Sequence, residues 1–301
     1  MPNCWQAFPP VPSCLFWLPE KRGASLPGKT RPAICSLRMP SFLPNDQTTP
    51  RRPAMEPNLL PGERIDDLQL NDLHIIQSEN GFRFGMDAVL LSDFARVRPR
   101  EHVVDMGTGT GILPILLSAQ REDATFTAFE VQPDMADMAE RSIALNGLSQ
   151  RIRVCAEDMR NAAALLGYGS AHMVVSNPPY GKQGSTLKNS TEGVTLARHE
   201  AAISIGEWTA SCAAVLRNMG RLCMVFPAQR LLELTDAYRS ARIEPKRIRL
   251  VYAKVDRAPY LVLLEGMKNA RPGLLWMPPL VVYEPDGSET AEIHRIYHRK
   301  V

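Results

Sequence analysis

The chain has 301 residues, of which 45% are hydrophobic, and a formal net charge of +3. This length suits one large domain with additions, and no apolar run approaches the ~20 residues of a membrane-spanning helix. Residues 1–54 contain seven Lys/Arg and two Asp/Glu, so the remaining 28 basic and 30 acidic residues leave the rest of the chain at −2. The basic total is therefore a poor indicator of nucleic-acid binding, and any such surface must be a local patch.

Residues 1–54 have no helical or strand periodicity and hold 11 of the 25 prolines. This composition predicts a disordered basic leader. Since Met39 and Met55 are both possible starts, another interpretation is that the leader is not translated. A basic arm that binds RNA is the functional alternative, although an unpatterned basic tail is usually only solvated.

The ordered part begins with short strands and a hairpin over 63–84 and a helix over 87–97. Strands and helices then alternate, which is typical of a parallel sheet with helices on both faces. The predicted strands are 101–106, 125–130, 151–155, 171–176 and 221–226, and the predicted helices are 112–120, 133–146, 159–166, 203–217 and 228–240.

Strands 247–253 and 260–265 follow with no helix between them, which predicts an antiparallel hairpin at one edge. The fold class is therefore α/β, with a seven-stranded, mostly parallel sheet. We expect three segments: the leader 1–54, a main domain 55–270 and a C-terminal extension 271–301 with a strand at 280–283. Within the main domain, 55–100 would form the hairpin and helix, and 101–270 the sheet.

A glycine-rich turn, Asp105-Met-Gly107-Thr108-Gly109-Thr-Gly111, follows the first strand of the sheet. Glycine lets the backbone approach a nucleotide-type ligand closely. The dehydrogenase fingerprint GxGxxG fails at its third glycine, where Ile112 stands. The pattern DxGxGxG fits, and a carboxylate beside the turn suits a ligand with an ammonium group and no phosphate, such as S-adenosylmethionine.

Acids end three successive strands. Asp105 is placed to bind the ammonium group, Glu130 to accept two ribose hydroxyls and Asp158 to accept from an adenine amine. Each carboxylate alone could be a solvated cap, but the three together favour a cofactor site. The predicted cofactor contacts are Asp105, Gly107, Thr108, Gly109, Gly111, Glu130, Asp158 and Asn177.

The tetrad Asn177-Pro178-Pro179-Tyr180 ends the fourth strand of the sheet. Two prolines remove two backbone donors and force extended geometry, so the carbonyls of this loop stay available. An amide, free carbonyls and an aromatic face form a receptor for a planar amino group. The alternative is a purely structural role, because Asn-Pro and Pro-Tyr are common in turns.

Over residues 60–265 the chain resembles the class I S-adenosylmethionine-dependent methyltransferases, which have a Rossmann-like fold. Within them it is most similar to the bacterial tRNA(Val) adenine-N6 methyltransferase family, which modifies the adenine 3′ of the anticodon. The stretches that carry the resemblance are Phe82–Leu91, Val104–Ile112, Asn177–Tyr180, Ala197-Arg198-His199-Glu200 and Pro259–Glu265.

The resemblance implies N6-methylation of an adenine in tRNA. Asn177 would accept a hydrogen bond from the target amine, the Pro178 carbonyl would accept the second, and Tyr180 would stack on the base. Substrate contacts are expected from Pro179, Lys182, Arg198 and His199, with Lys188 or the more distant Lys246, Arg247, Arg249, Lys254 and Arg257 as further candidates for RNA contact.

Other functions stay open at this point. The same tetrad serves glutamine methylation in release-factor methyltransferases, and a Phe-ended version serves guanine in rRNA enzymes. A catalytically silent module that binds only RNA or protein is a third possibility. Neither histidines nor cysteines have metal-ligand spacing, so we expect no metal, and we expect reduced thiols in a cytoplasmic protein. The expected partner is tRNA, without a membrane partner. The sequence does not give the oligomeric state, and a monomer is favoured.

Overall fold

The computed structural model describes residues 59–79, 85–179 and 203–298. The predicted leader 1–54 lies outside these ranges. So do the last part of the predicted hairpin and five residues with predicted roles in the substrate site: Tyr180, Lys182, Lys188, Arg198 and His199.

Two strands precede the main sheet, as the sequence predicts. Strand β1 (Glu63–Asp67) pairs antiparallel with β2 (His74–Ser78). The backbone N–H of Ile76 donates to the buried hydroxyl of Ser142, at 2.9 Å, which attaches this small sheet to the main body.

The described residues form one large sheet of nine strands, two more than predicted. The strands are β3 (His102–Met106), β4 (Thr125–Phe129), β5 (Ile152–Cys155), β6 (Ala171–Ser176), β7 (Leu216–Pro227), β8 (Ile243–Tyr252), β9 (Pro259–Lys268), β10 (Leu275–Trp276) and β11 (Leu280–Val281). Their order is β5-β4-β3-β6-β7-β9-β8-β10, and β11 also pairs with β8. Only β9 runs antiparallel to its neighbours, which confirms the mostly parallel sheet with an antiparallel edge hairpin.

Helices cover both faces of this sheet, as in Rossmann-like folds. The helices are α1 (Met86–Phe94), α2 (Ile112–Ser118), α3 (Pro133–Leu145), α4 (Ala162–Leu166), α5 (Ile205–Val215), α6 (Leu231–Ser240) and α7 (Ala291–Ile296). Side chains alternate across a strand, so Val103 joins a core with α1 and α2, while Val104 joins a core with α5 and α6. Each core is a set of fully buried apolar side chains.

Local chemistry explains where several elements differ from the prediction. Residues 159–166 form a 3-10 turn and then a short helix, because Asp158 accepts from the backbone of Arg160 and begins a tight turn. Strand β7 begins at Leu216, since α5 ends directly before it and Leu216 pairs with Ala171. Helix α7 begins after its Thr290 cap and is only six residues long. A helix this short shows little periodicity in its sequence, so it was not predicted.

Three cysteines lie in the described ranges, and all three are free thiols: Cys155, Cys212 and Cys223. None of the helices in these ranges is long and apolar enough to cross a bilayer.

Candidate active site

The candidate site lies where the strand order of the sheet reverses. Strands β3 and β6 are parallel neighbours, with Val103 opposite Met173 and Asp105 opposite Val175. Strands β4 and β5 extend the sheet on one side, and β7 on the other. In open α/β sheets, ligands bind outside the carboxyl ends of the strands at such a reversal. The glycine turn and the Asn177 loop thus leave adjacent strands at the same edge.

The conformation of the glycine turn is fixed by backbone hydrogen bonds to the end of β4. The N–H groups of Gly107 and Thr108 both donate to the Phe129 carbonyl, at 3.0 and 2.9 Å. Gly107 and Gly111 have φ of +76° and +89°, a region that favours glycine. A Cβ at Gly111 would lie 3.3 Å from the Cβ of Ala139 on α3, so the turn also needs glycine for close packing.

Asp105 is the most unusual charged group of the site. Its side chain is 1% exposed, and neither carboxylate oxygen has a hydrogen-bond partner within the described residues. Burial raises the pKa of this carboxyl to about 7; the charge of Glu130 adds to the rise, and the nearby Thr108 hydroxyl opposes it. The Thr108 hydroxyl is itself buried and not in hydrogen-bond geometry with any described group. The two groups are neighbours, so Thr108 lowers the pKa of Asp105 without a hydrogen bond of normal geometry, and no other described group pairs with the carboxylate.

Glu130 connects two loops. One carboxylate oxygen accepts from the Gly109 N–H at 2.9 Å, and the other accepts from the Gln132 N–H at 2.9 Å. The carboxylate is thus engaged by the backbone after β3 and after β4. Its oxygens have further lone pairs, so it can hold the loops and still accept from ribose hydroxyls.

Asp158 has a local partner. Its carboxylate accepts from the backbone and the guanidinium of Arg160, and these hydrogen bonds lower the pKa of Asp158. Its position after β5 puts it at the same edge as Asp105 and Glu130. The contact of Asp158 with an adenine amine stays a prediction, since the ion pair with Arg160 already gives its carboxylate a hydrogen-bond partner.

The tetrad loop begins directly after β6. Asn177 and Pro179 are partly exposed and Pro178 is buried, so Pro178 packs against the protein as the loop leaves the sheet. The predicted contacts Tyr180, Lys182, Arg198 and His199 belong to residues that the structure does not describe.

A model of the methyltransferase small domain matches residues 76–238, which is more than half of the chain. The chain belongs to this methyltransferase family. A protein of Tolumonas auensis called tRNA1(Val) (adenine(37)-N6)-methyltransferase is 33% identical over 64% of this chain and 78% of its own length. A protein of the same name from Porphyromonas gingivalis is 30% identical over 62% of this chain and 82% of its own length.

A solved structure shares the fold of this methyltransferase. A predicted O-methyltransferase from Agrobacterium tumefaciens superposes with a TM-score of 0.58 and 23% identity, over 71% of this chain and 96% of its own. The sequence-based identification is therefore confirmed at the level of the family, the fold and the cofactor: the chain is a class I methyltransferase that uses S-adenosylmethionine.

Two residues of the methyltransferase site escaped the sequence analysis. The indole N–H of Trp208 on α5 donates to the Ser176 hydroxyl at 2.9 Å, and Ser176 donates to the Met106 carbonyl at 2.6 Å. A usable signal was present, because a serine that ends the apolar run Met173–Val175 must find a partner when buried, and so must an indole N–H.

Some of the basic residues considered for RNA contact have structural partners instead. Arg249 is 7% exposed, and its Nη2 donates to both carboxylate oxygens of Glu292 at 2.8 Å. Arg247 pairs with Glu265 and lies over the Phe94 ring, 4.2 Å from its centroid. These two arginines stabilise the edge of the methyltransferase sheet and are removed from the candidate RNA surface.

Proposed function

We propose that this enzyme methylates the N6 amino group of an adenine in tRNA, and that the target is the adenine 3′ of the anticodon of tRNA(Val). The observation that carries the proposal is the shared edge of β3 and β6, which puts an unpartnered carboxylate and an amide-bearing proline loop on neighbouring strands. The names of the two curated relatives support the choice of substrate.

The residues of the glycine turn fit the cofactor. A buried carboxylate with no partner is unfavourable unless a cation reaches it, and the ammonium of the cofactor's amino-acid end would supply that charge to Asp105. Gly109 leaves the turn without a side chain where the cofactor must approach, and the Cβ position of Gly107 faces the Trp208 ring. Glu130 would accept from the ribose hydroxyls, and Asp158 would receive the adenine amine. When bound, S-adenosylmethionine supplies a methyl group on a positively charged sulfur.

The proline loop provides the acceptors for the amine. The Asn177 side-chain oxygen would accept one N–H of the target amine, and the Pro178 carbonyl would accept the other. Both acceptors stabilise the positive charge that develops on the nitrogen, and they turn its lone pair out of the ring plane toward the methyl group. Neither acceptor has to take the proton, which can leave to water after transfer. The residues contribute mainly by position.

Tyr180 would stack on the base, a contact worth ~1–3 kcal/mol in single-strand readers. Since the target is part of a stacked anticodon loop, it would have to turn outward to reach the site. Pro179, Lys182, Arg198 and His199 complete the proposed substrate site. With tRNA as its substrate, we expect the enzyme to act in the cytoplasm. We also expect it to act as a monomer.

The test uses the full chain, S-adenosylmethionine labelled in its methyl group and total bacterial tRNA, followed by digestion to nucleosides. We expect the label in N6-methyladenosine. Label in methylguanosine, or in a glutamine of release factor when that protein is the acceptor, would contradict the proposal and identify the actual class. Failure to bind the cofactor in a titration would indicate a silent module.

The finer part of the proposal needs a matched pair of substrates. A transcript of tRNA(Val) should accept the methyl group, and the same transcript with guanine in place of the adenine 3′ of the anticodon should not. Equal labelling of the two transcripts would move the target to another position.

A further inference from the structure

A short chain of hydrogen bonds connects the two loops of the site. It runs from the Trp208 indole to the Ser176 hydroxyl and on to the Met106 carbonyl, with both distances below 3 Å. Met106 directly precedes Gly107 of the cofactor turn, and Ser176 directly precedes Asn177 of the acceptor loop. All three members of the chain are buried: Met106 and Ser176 are 0% exposed, and Trp208 is 9% exposed.

The direction of this chain is determined by its donors. An indole nitrogen can only donate, so the Ser176 oxygen must accept from Trp208. The serine hydroxyl has a single proton, and the Met106 carbonyl is the acceptor within its reach. Trp208 thus orients the hydroxyl that bonds to the neighbouring strand.

The hydrogen bond from Ser176 to Met106 lies where strands β3 and β6 begin to separate. The last ladder pair between β3 and β6 is Asp105 opposite Val175. Beyond this pair the polypeptide leaves β3 for helix α2, which belongs to one hydrophobic core. The next described helix after β6 is α5, which belongs to the other core. The Ser176 bond therefore continues the connection one residue past the ladder, at the point where the crevice opens.

Trp208 also contacts the cofactor turn itself. Two carbons of its six-membered ring lie 3.1 Å from the position that a Cβ of Gly107 would occupy. One edge of the same indole therefore packs on the turn, while its N–H acts through Ser176 on the end of β6. Helix α5, which presents the indole, is fixed at its start by a capping box of Ser204 and Glu207.

We infer that Ser176 and Trp208 are positioning residues for methyl transfer, which set the distance between the loop that holds the methyl donor and the loop that holds the acceptor amine. They touch neither reactant and act through Gly107 and Asn177. The inference rests on the proposed function, because only a reaction between two bound partners requires both loops to keep one separation.

The kinetic test compares Ser176→Ala, Trp208→Phe and the double variant. A misplacement of about 1 Å can reduce a rate on the order of 100-fold, so we expect each single change to lower kcat roughly 10- to 100-fold. The cofactor dissociation constant should change less than about threefold, since the turn keeps its own hydrogen bonds to β4. Because the two residues act as a unit, the double variant should be about as slow as the slower single variant.

The control is Thr209→Val on the same helix. Thr209 is also 0% exposed, and within the part of the chain that the structure describes its hydroxyl bonds only the Ile205 carbonyl of its own helix. This variant should lose a buried hydrogen bond without a change in kcat. A loss of kcat in Thr209→Val equal to that in Ser176→Ala, or a double variant whose loss is the product of the single losses, would overturn the inference.

A second measurement needs no tRNA, so it separates this inference from the proposed function. Amide hydrogen exchange is followed in peptides that cover 105–111 and 173–177. Ser176→Ala should speed exchange in both peptides together, roughly tenfold, because local opening of a loop controls its exchange rate. Unchanged exchange, or a change in one peptide only, would refute the coupling. If the wild type does not methylate tRNA, the proposed function fails while this measurement still decides the coupling.

Discussion

The two ends of the sheet differ in whether their buried charged groups are paired. Toward the amino ends of β3 and β7, Arg221 is 2% exposed, and its guanidinium bonds Glu101 and lies 3.6 Å from Glu265. At the carboxyl end of β3, Asp105 is equally buried and has no partner within the described residues. The first arrangement is complete without a ligand, and the second is complete only with one. The difference indicates which end is built for stability and which for binding.

The largest effect is expected at the amino end. Arg221→Met should leave Glu101 buried without its partner, and breaking a buried pair in this way costs about 3–5 kcal/mol of stability. Chemical denaturation measures the loss. Cofactor affinity of the folded protein should stay within about twofold, since the change is at the opposite end from the glycine turn.

Arg295→Met is the control for that variant. Arg295 pairs with Asp93, but its side chain is 59% exposed, and exposed pairs contribute about 0–1 kcal/mol. If both variants lose the same stability, the contrast between a buried and an exposed ion pair does not hold.

Next in size is Asn177→Ala at the carboxyl end. Removal of one acceptor aimed at the developing charge should lower kcat roughly 100- to 1,000-fold. The cofactor dissociation constant should be nearly unchanged, because the glycine turn is intact. Single-turnover kinetics and calorimetric titration provide the two values. Equal losses in rate and affinity would mean that the loop is only structural.

Asp105→Asn should have effects of opposite sign on binding and stability. The cofactor should bind roughly 10- to 100-fold more weakly without the carboxylate that receives its ammonium. The free protein should gain about 2–4 kcal/mol of stability at pH 8, because an unpartnered buried charge is removed. Asp137→Asn, at a carboxylate that is 55% exposed and pairs with Arg141 on the same helix, should change stability by less than about 0.5 kcal/mol. A loss of stability in Asp105→Asn would show that the carboxylate has a partner after all.

Counted per pH unit, the smallest effect is a pH dependence of the same group. The pKa of Asp105 is about 7 in the folded protein, against an ordinary value of 3.8. The folded state therefore holds this proton more tightly than the unfolded state. The stability that it contributes is complete below about pH 4 and is lost as the pH rises toward 7, by at most about 1.4 kcal/mol per pH unit.

Subtraction isolates this contribution. The free energy of unfolding of wild type minus that of Asp105→Asn should fall between pH 4 and 7 and then stay level. A difference that is flat over this range would contradict the raised pKa. Saturating cofactor should flatten the slope, because the bound ammonium keeps Asp105 ionised.

Much of this architecture could be predicted because its signals are local. The alternation of strands and helices, the glycines after β3 and the prolines after β6 each report on their own backbone. The partners of buried groups could not be predicted, because they depend on distant contacts. Arg249 was one of several candidates for RNA contact and pairs with Glu292, which is 43 residues away. Trp208 and Ser176 are 32 residues apart, and only the packing of α5 on the sheet brings them together.

The contact between Gly107 and Trp208 has a consequence for how this sequence can drift. A methyl group at position 107 would press on the indole that orients Ser176, so one added carbon would reach both strands. Even in a descendant that had given up its cofactor, a larger residue here would require the indole to shift by a few tenths of an ångström, and the positive φ of position 107 would add backbone strain. Loss of the tryptophan would remove the first of these costs and leave the second.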